Sequence, residues 1–237
     1  MILYPYTLIS RTKTSEDTYI LRFTPQSKKK YRFLPGQYCE IQLPDITVKR
    51  PFSLASTPNS RHIEFCIKPY GAFSTTLSSL PVGSPIQISD PKGSLVWDST
   101  ISDAAFLIGG IGISPVMSLL RSLGKSKTRP TLTIFYGNRT PETKAYEKEL
   151  RAFQKNLGIR VFDIYSHLPQ QHPWKGYRGF ITAEILQNEI RDLTQTTFFL
   201  IGPPVFLEKM QEVLHTLRIE KNRIKYESID TSKQSYS

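Results

Sequence analysis

The hydrophobic period of the chain changes once, between residues 98 and 103, and that change limits what it can fold into. Before it come short β-rich runs at 18–23, 37–43, 62–68 and 85–89, separated by turn residues such as Pro35-Gly36, Pro58-Asn59, Val82-Gly83 and Lys92-Gly93. Several strands with frequent turn signals predict a small barrel or sandwich; residues 74–80 read as its one short helix. After Asp103, apolar runs (105–108, 131–136, 160–165, 197–201, 223–227) alternate with helical segments (114–123, 141–156, 182–188, 204–217). This is a βαβ pattern. Uniformly apolar runs such as Phe106-Leu-Ile and Phe198-Phe-Leu-Ile fit parallel strands covered on both faces. The expected architecture is two domains, an antiparallel β-barrel over 1–98 and an α/β parallel-sheet domain over 103–237.

Composition excludes several classes. With 237 residues, 39% hydrophobic and 11% aromatic, the chain can bury a core large enough to offset its conformational entropy. The strongly apolar uncharged run 104–120 holds 17 residues and is interrupted by Gly109, Gly110, Gly112 and Pro115. A membrane span needs roughly 20 apolar residues, so none is expected. The opening Met1-Ile-Leu-Tyr-Pro-Tyr6 lacks the basic start and long apolar stretch of a secretion signal, which points to the cytoplasm. Cys39 and Cys66 have no Cys or His at ligand spacing, whereas a zinc or iron–sulfur site needs about four ligands; no metal is expected. His62, His167, His172 and His215 form no sequence-local metal pair either.

The formal charge is +11, and it is spread over both parts, with 12 basic and 7 acidic residues up to position 100. Such a surface steers an acidic partner or simply aids solubility. Nucleic-acid binding is the reading from a different class, but no nucleic-acid motif is present. Lys28-Lys-Lys30 reads as a solvated loop.

Three segments carry chemistry. In Phe106-Leu-Ile-Gly-Gly-Ile-Gly-Ile-Ser-Pro115 a strand runs into a glycine-rich turn that opens a helix, with Pro115 suited to the first helical turn. Bare N–H groups at a helix start hold a pyrophosphate; tight strand–helix packing is the plainer reading. Ile201-Gly-Pro-Pro204 is a second turn of this kind, and in an open α/β sheet ligands sit beyond the carboxyl ends of the strands. Finally, Lys49-Arg-Pro-Phe-Ser-Leu-Ala-Ser56 supplies Arg50 as a charged donor. Lys68-Pro-Tyr-Gly-Ala-Phe-Ser-Thr-Thr76 places Gly71 before a short helix capped by a serine or threonine. Without context, Arg50 is equally a surface charge and Ser53 a turn residue.

In this order the segments resemble the ferredoxin–NADP reductase superfamily of flavoprotein electron-transfer modules. The resemblance runs from about Tyr31 to Glu227 and is carried by Pro35-Gly-Gln-Tyr38, Arg50-Pro-Phe-Ser53, Gly71-Ala-Phe-Ser74, Gly109-Gly-Ile-Gly-Ile-Ser-Pro115, Tyr136-Gly-Asn-Arg139, Gly202-Pro-Pro204 and Glu227. It implies a flavin barrel followed by a nicotinamide-nucleotide domain, with FAD favoured over FMN and NADH or NADPH as co-substrate. Arg50 and Pro51 would lie at the flavin, Arg50 on its phosphates, Phe52 along its ring or ribityl chain and the Ser53 hydroxyl at N5. Gly71, Ala72, Phe73 and Ser74 would cradle the flavin pyrophosphate. Gly110, Gly112 and Pro115 would shape the nucleotide pyrophosphate site, Gly202 and Pro203 would flank the nicotinamide, and Glu227 would lie near the reacting rings. The implied reaction is hydride transfer from NAD(P)H to the flavin, then electron delivery to a separate acceptor: a ferredoxin, a flavodoxin, an oxygenase component or a small molecule. A monomer is expected. A nucleotide-binding redox sensor without turnover is the alternative on the same fold.

Four positions depart from the family pattern. Phe52 stands where tyrosine is common and Ile201 where many members have cysteine. Ser166-His167 occupies the place of the Ser-Arg of NADPH-selective members, and a mostly neutral histidine grips a 2′-phosphate less firmly. NADH is the resulting lean, although Arg139 can also serve a 2′-phosphate. The aromatic terminus that covers the flavin in plant-type reductases has only Ile229 and Tyr236 in its region, so an open flavin face is expected.

Overall fold

The computed structural model describes residues 2–27, 31–124 and 129–227. Lys28-Lys-Lys30, Ile229 and Tyr236 lie outside the described residues. Six strands, β1 (Leu3–Ser15), β2 (Thr18–Pro25), β3 (Tyr38–Gln42), β4 (Lys49–Ser53), β5 (Ile63–Ile67) and β6 (Pro85–Ser89), form one sheet in the order β4-β3-β6-β1-β2-β5. Every neighbouring pair is antiparallel. Alternate side chains (Leu21 and Phe23, Cys39 and Ile41, Ile86 and Ile88) point into one buried core, as the two-residue period of a strand requires. The sheet curls until its edges approach: Phe52 on β4 meets Phe65 on β5 edge to face, with ring centroids 6.5 Å apart. Helix α1 (Ala72–Ser79) buries Leu77 in the same core.

Three features of this half differ from expectation. β1 lacks a clear period because its outer part is polar; pairing on both sides, to β2 and β6, holds it extended, with bulges after Leu8 and Lys13. β4 contains Pro51, which the ladder tolerates because β4 is an edge strand. Helix α1 starts at Ala72, two residues earlier than expected, with Gly71 as the N-cap and the serine cap supplied from inside the first turn. Ser74, in its first turn, reaches back and its hydroxyl accepts from the N–H groups of Gly71 (3.1 Å) and Tyr70 (2.9 Å).

The second sheet comprises β7 (Asp103–Gly109), β8 (Thr131–Asn138), β9 (Arg160–Tyr165), β10 (Tyr177–Arg178), β11 (Thr197–Ile201) and β12 (Ile224–Tyr226). All its pairs are parallel, in the order β10-β9-β8-β7-β11-β12. Helices α2 (Ile113–Leu123) and α3 (Glu147–Leu157) cover Phe106, Ile134, Tyr136 and Phe199 on one face. Helices α4 (Ala183–Glu189) and α5 (Pro204–Thr216) cover Leu107, Phe135, Phe198 and Leu200 on the other. From β7 the chain moves outward through β8 and β9, then returns to β11 on the opposite side of β7. The strand order therefore reverses between β7 and β11, where an open α/β sheet forms its ligand crevice.

The expected helix over 141–156 is broken. A short 3-10 turn, Pro141–Thr143, precedes α3, and Tyr146 sits between them in the left-handed region at φ 59°. A tertiary contact overrides the local helical pattern: the buried Tyr146 hydroxyl donates to Glu64 of the barrel (2.9 Å), and its N–H donates to Thr14 Oγ1 (3.2 Å). Elsewhere along the seam, Ala55 and Cys66 of the first half pack into the α2/α3 core. Trp97 stacks on Phe199 at 5.9 Å and Phe106 at 6.4 Å. Burial pushes both cysteine thiols up to about 12, which keeps them protonated at neutral pH.

Candidate active site

Strand β4 presents Arg50, Pro51, Phe52 and Ser53 on the open edge of the barrel. The register pairs Ser53 with Tyr38 and Phe52 with Cys39. Phe52 stacks on Phe73 with ring centroids 5.9 Å apart and planes 24° apart, so the Arg50–Ser53 and Gly71–Ser74 segments are neighbours in space. At the start of α1 the first helical bond runs from Thr75 N–H to the Gly71 carbonyl (3.0 Å), which leaves the N–H groups of Ala72, Phe73 and Ser74 for a ligand. No atom lies within 4 Å of a Cβ built on Gly71. Among the described residues the Arg50 guanidinium bonds only the Lys49 carbonyl (3.3 Å) and pairs with no carboxylate.

Both glycine turns of the α/β half lie at the crevice between β7 and β11. Gly110 has φ +52°, a conformation that disfavours a side chain, and the space in front of it is open to 4 Å. Gly112 answers a different need: a Cβ there would lie 2.4 Å from the Ile201 carbonyl oxygen, so the turn can pack on the end of β11 only without one. Gly112→Ala is expected to cost about 1–3 kcal/mol through overpacking, read as a lower melting temperature and weaker dinucleotide binding; an unchanged melting curve would contradict the close approach. Pro115 lies in the first turn of α2, where a missing N–H costs nothing. It lines an apolar cleft at the seam with Pro35, Gly36, Leu95, Trp97 and Ile201.

Gly202 and Pro203 follow β11, and Phe206, which the sequence reading did not single out, fits between the two turns. A Cβ on Gly109 or Gly202 would lie 2.9 or 2.6 Å from its ring. The only available signal was its place one turn into a helix that opens with Gly-Pro-Pro. At the ends of β8 and β9, the Arg139 carbonyl accepts from His167 N–H (2.9 Å), and Ser166 Oγ lies 2.7 Å from His167 Nδ1. The three candidates for a 2′-phosphate contact are thus adjacent.

Glu227 crosses to the barrel. Its carboxylate accepts from Ser94 N–H (2.9 Å) and Ser94 Oγ (3.4 Å). Burial first, then the Glu227 charge, pushes the Tyr38 phenol above its usual range, and Tyr38 is the strand partner of Ser53. The loop holding Gly93 and Ser94 is a second feature absent from the sequence reading, which took it only as a turn.

Fold and site together define a flavin- and dinucleotide-binding module. Residues 5–97 match the oxidoreductase FAD-binding domain and residues 106–212 the oxidoreductase NAD-binding domain. The chain belongs to the ferredoxin–NADP reductase superfamily. It is 29% identical over 225 residues to the reductase component of propane 2-monooxygenase from Mycolicibacterium smegmatis, covering 90% of this chain and 64% of that protein. It is also 29% identical over 203 residues to the anthranilate 1,2-dioxygenase electron transfer component of Acinetobacter baylyi, covering 83% and 58%. The chain therefore spans about three fifths of the length of these relatives. The cytochrome b5 reductase domain of Ulva prolifera nitrate reductase shares the fold, with a TM-score of 0.84, 21% identity and coverage of 95% and 97%.

Proposed function

We propose that the chain is an NAD(P)H-dependent flavin oxidoreductase that passes electrons to a separate acceptor, an oxygenase component, an acidic redox protein or a small molecule. The observation that carries the reading is a convergence: a strand edge whose arginine pairs with no carboxylate among the described residues and an open helix start lie on one side of the seam, and two glycine turns at the strand reversal lie on the other. When bound, FAD supplies a two-electron acceptor for the nicotinamide hydride and an outlet for electrons. Arg50 neutralises its phosphates, while the free N–H groups of Ala72, Phe73 and Ser74 hold the pyrophosphate next to Gly71. Phe52 packs along the ring system or its side chain, with Pro51 fixing the strand beneath, and the Ser53 hydroxyl is the hydrogen-bonding group at N5.

On the other side, Gly110, Gly112 and Pro115 give the dinucleotide pyrophosphate close access to backbone amides. Gly202 and Pro203 border the nicotinamide, and Glu227 supplies a carboxylate near Tyr38, the strand partner of Ser53. Arg139 with Ser166-His167 faces the adenosine ribose, and an imidazole in place of a second guanidinium favours NADH. The division at 98–103 separates the two binding halves, and we take the working unit to be a monomer. Among the described residues no helix is long and apolar enough to cross a membrane.

Reconstitution with FAD, followed by anaerobic addition of NADH or NADPH, tests the reading. The flavin absorbance should bleach, faster with NADH, and return when ferricyanide is added. A protein that takes up FAD but leaves it oxidised would be a sensor without turnover, and one that takes up no flavin would end the proposal.

A further inference from the structure

We propose that helix α2 sets the register between the two cofactor sites, with Ser118 and Arg121 as positioning residues for the meeting of nicotinamide and flavin. The inference rests on the oxidoreductase reading above. Helix α2 opens directly from the Gly110–Gly112 turn. Farther along, Ser118 Oγ donates to the Ser56 carbonyl (2.6 Å) and Arg121 Nη1 donates to the Ala55 carbonyl (2.8 Å). Strand β4 ends at Ser53 and runs straight into these residues. One helix therefore carries the dinucleotide turn at its start and, about 9–14 Å along its axis at 1.5 Å per residue, grips two successive carbonyls just beyond the flavin segment.

The grip is itself fixed on every side. Arg121 forks to Glu149 of α3 through Nε (2.6 Å) and Nη2 (2.7 Å), and Nη1 also reaches Glu64 of β5 (2.7 Å). Glu64, with 3% of its side chain exposed, accepts further from Arg22 (2.8 Å) and Tyr146 (2.9 Å), while its N–H donates to Ser56 Oγ (3.1 Å). Ser56 is thus held through its carbonyl by one half and through its hydroxyl by the other. Apolar packing of Ala55 and Cys66 on α2 brings the halves together without setting a direction. Hydrogen bonds to two consecutive carbonyls do set one, because they weaken steeply with angle. A displacement of about 1 Å at a reacting centre can cost about 10²-fold in rate, which is the scale on which such a clasp matters.

The test compares the wild-type protein with Ser118→Ala, Arg121→Lys and the double variant. Lysine keeps a cation beside Glu64 but loses the fork, so the double variant removes both carbonyl grips without stranding the carboxylate; Ser118→Ala alone serves if the double variant does not fold. Because no binding residue is altered, affinities for FAD and NAD+ should not change. Flavin bleaching at saturating NADH should slow about 10- to 100-fold. The long-wavelength absorbance of nicotinamide stacked on flavin should shrink in parallel. In the FAD-free protein, the Leu54 and Ala55 amides should lose protection from hydrogen exchange. Wild-type bleaching and full stacking absorbance in the variants would overturn the proposal even if protection fell, since the clasp would then be structural only. Lost FAD or NAD+ affinity would overturn it as well, by making these residues determinants of binding. If the wild type itself takes up no FAD, the oxidoreductase reading fails and this inference falls with it.

Discussion

Arg121→Met is expected to lower the free energy of unfolding at neutral pH by about 3–5 kcal/mol, the usual cost of stripping one partner from a buried ion pair. The guanidinium contacts two carboxylates and a carbonyl, and Glu64 has almost no access to water that could replace it. Urea denaturation measures the loss. Adding Glu64→Gln to the variant should recover part of it, because the buried charge left with Arg22 as its remaining cation is then gone. The pH dependence has a definite sign. Burial alone pushes the Glu64 carboxyl up, but the Arg121 charge and the hydrogen bonds from Arg121 and Arg22 outweigh it and hold the group below its ordinary 4.5. A depressed carboxyl contributes stability that is complete above 4.5 and disappears as pH falls through the folded-state value. The gap between wild type and Arg121→Met should therefore be widest near neutrality and narrow below that point; a gap that stays constant with pH would mean the loss is one of packing, not charge.

Ser53→Ala is expected to slow flavin reduction by about 10²-fold, as for other lost polar contacts at a reacting centre, while FAD stays bound. On the proposed reading binding is spared, because Arg50 and the α1 amides would hold the other end of the cofactor. Anaerobic stopped-flow absorbance with NADH reads the rate, and the visible spectrum before mixing reads occupancy. An unchanged rate would remove the role assigned to the hydroxyl. Loss of the flavin would instead make Ser53 an anchoring residue.

What could be read from the sequence follows from where each signal was local. Strands β9 and β11 and the start of α5 came out at their observed places because period, glycine and proline all acted within a few residues. The two glycine turns were legible for the same reason. Strand β1 was missed because its outer half, residues 9–15, is polar and has no clear period, being held extended by the hairpin with β2 while distant β6 pairs only Leu3–Thr7, and β4 because a proline there is acceptable only on an edge that the sequence does not reveal. Tyr146 looked like an interior helical residue; its left-handed backbone comes from Glu64 and Thr14, both more than 80 residues away. The serine or threonine cap expected for α1 is Ser74, but it acts by reaching back from the first turn while Gly71 takes the N-cap position. Phe206 is placed by packing within the α/β half, and the Ser94 partner of Glu227 and the Ser118–Arg121 grip exist only once the two halves are packed. Motif spacing thus located the segments proposed to hold cofactors, whereas the contacts that aim those segments at each other are products of tertiary structure.

A crystal structure with FAD and NAD+ both bound tests the central claim most directly. The account predicts flavin phosphates against Arg50 and the start of α1, the ring edge at Ser53, and the dinucleotide pyrophosphate on the Gly110–Gly112 turn, with the two rings meeting at the seam. Cofactors bound on separate surfaces, with the seam closed by protein side chains between Ser53 and Gly202, would contradict it.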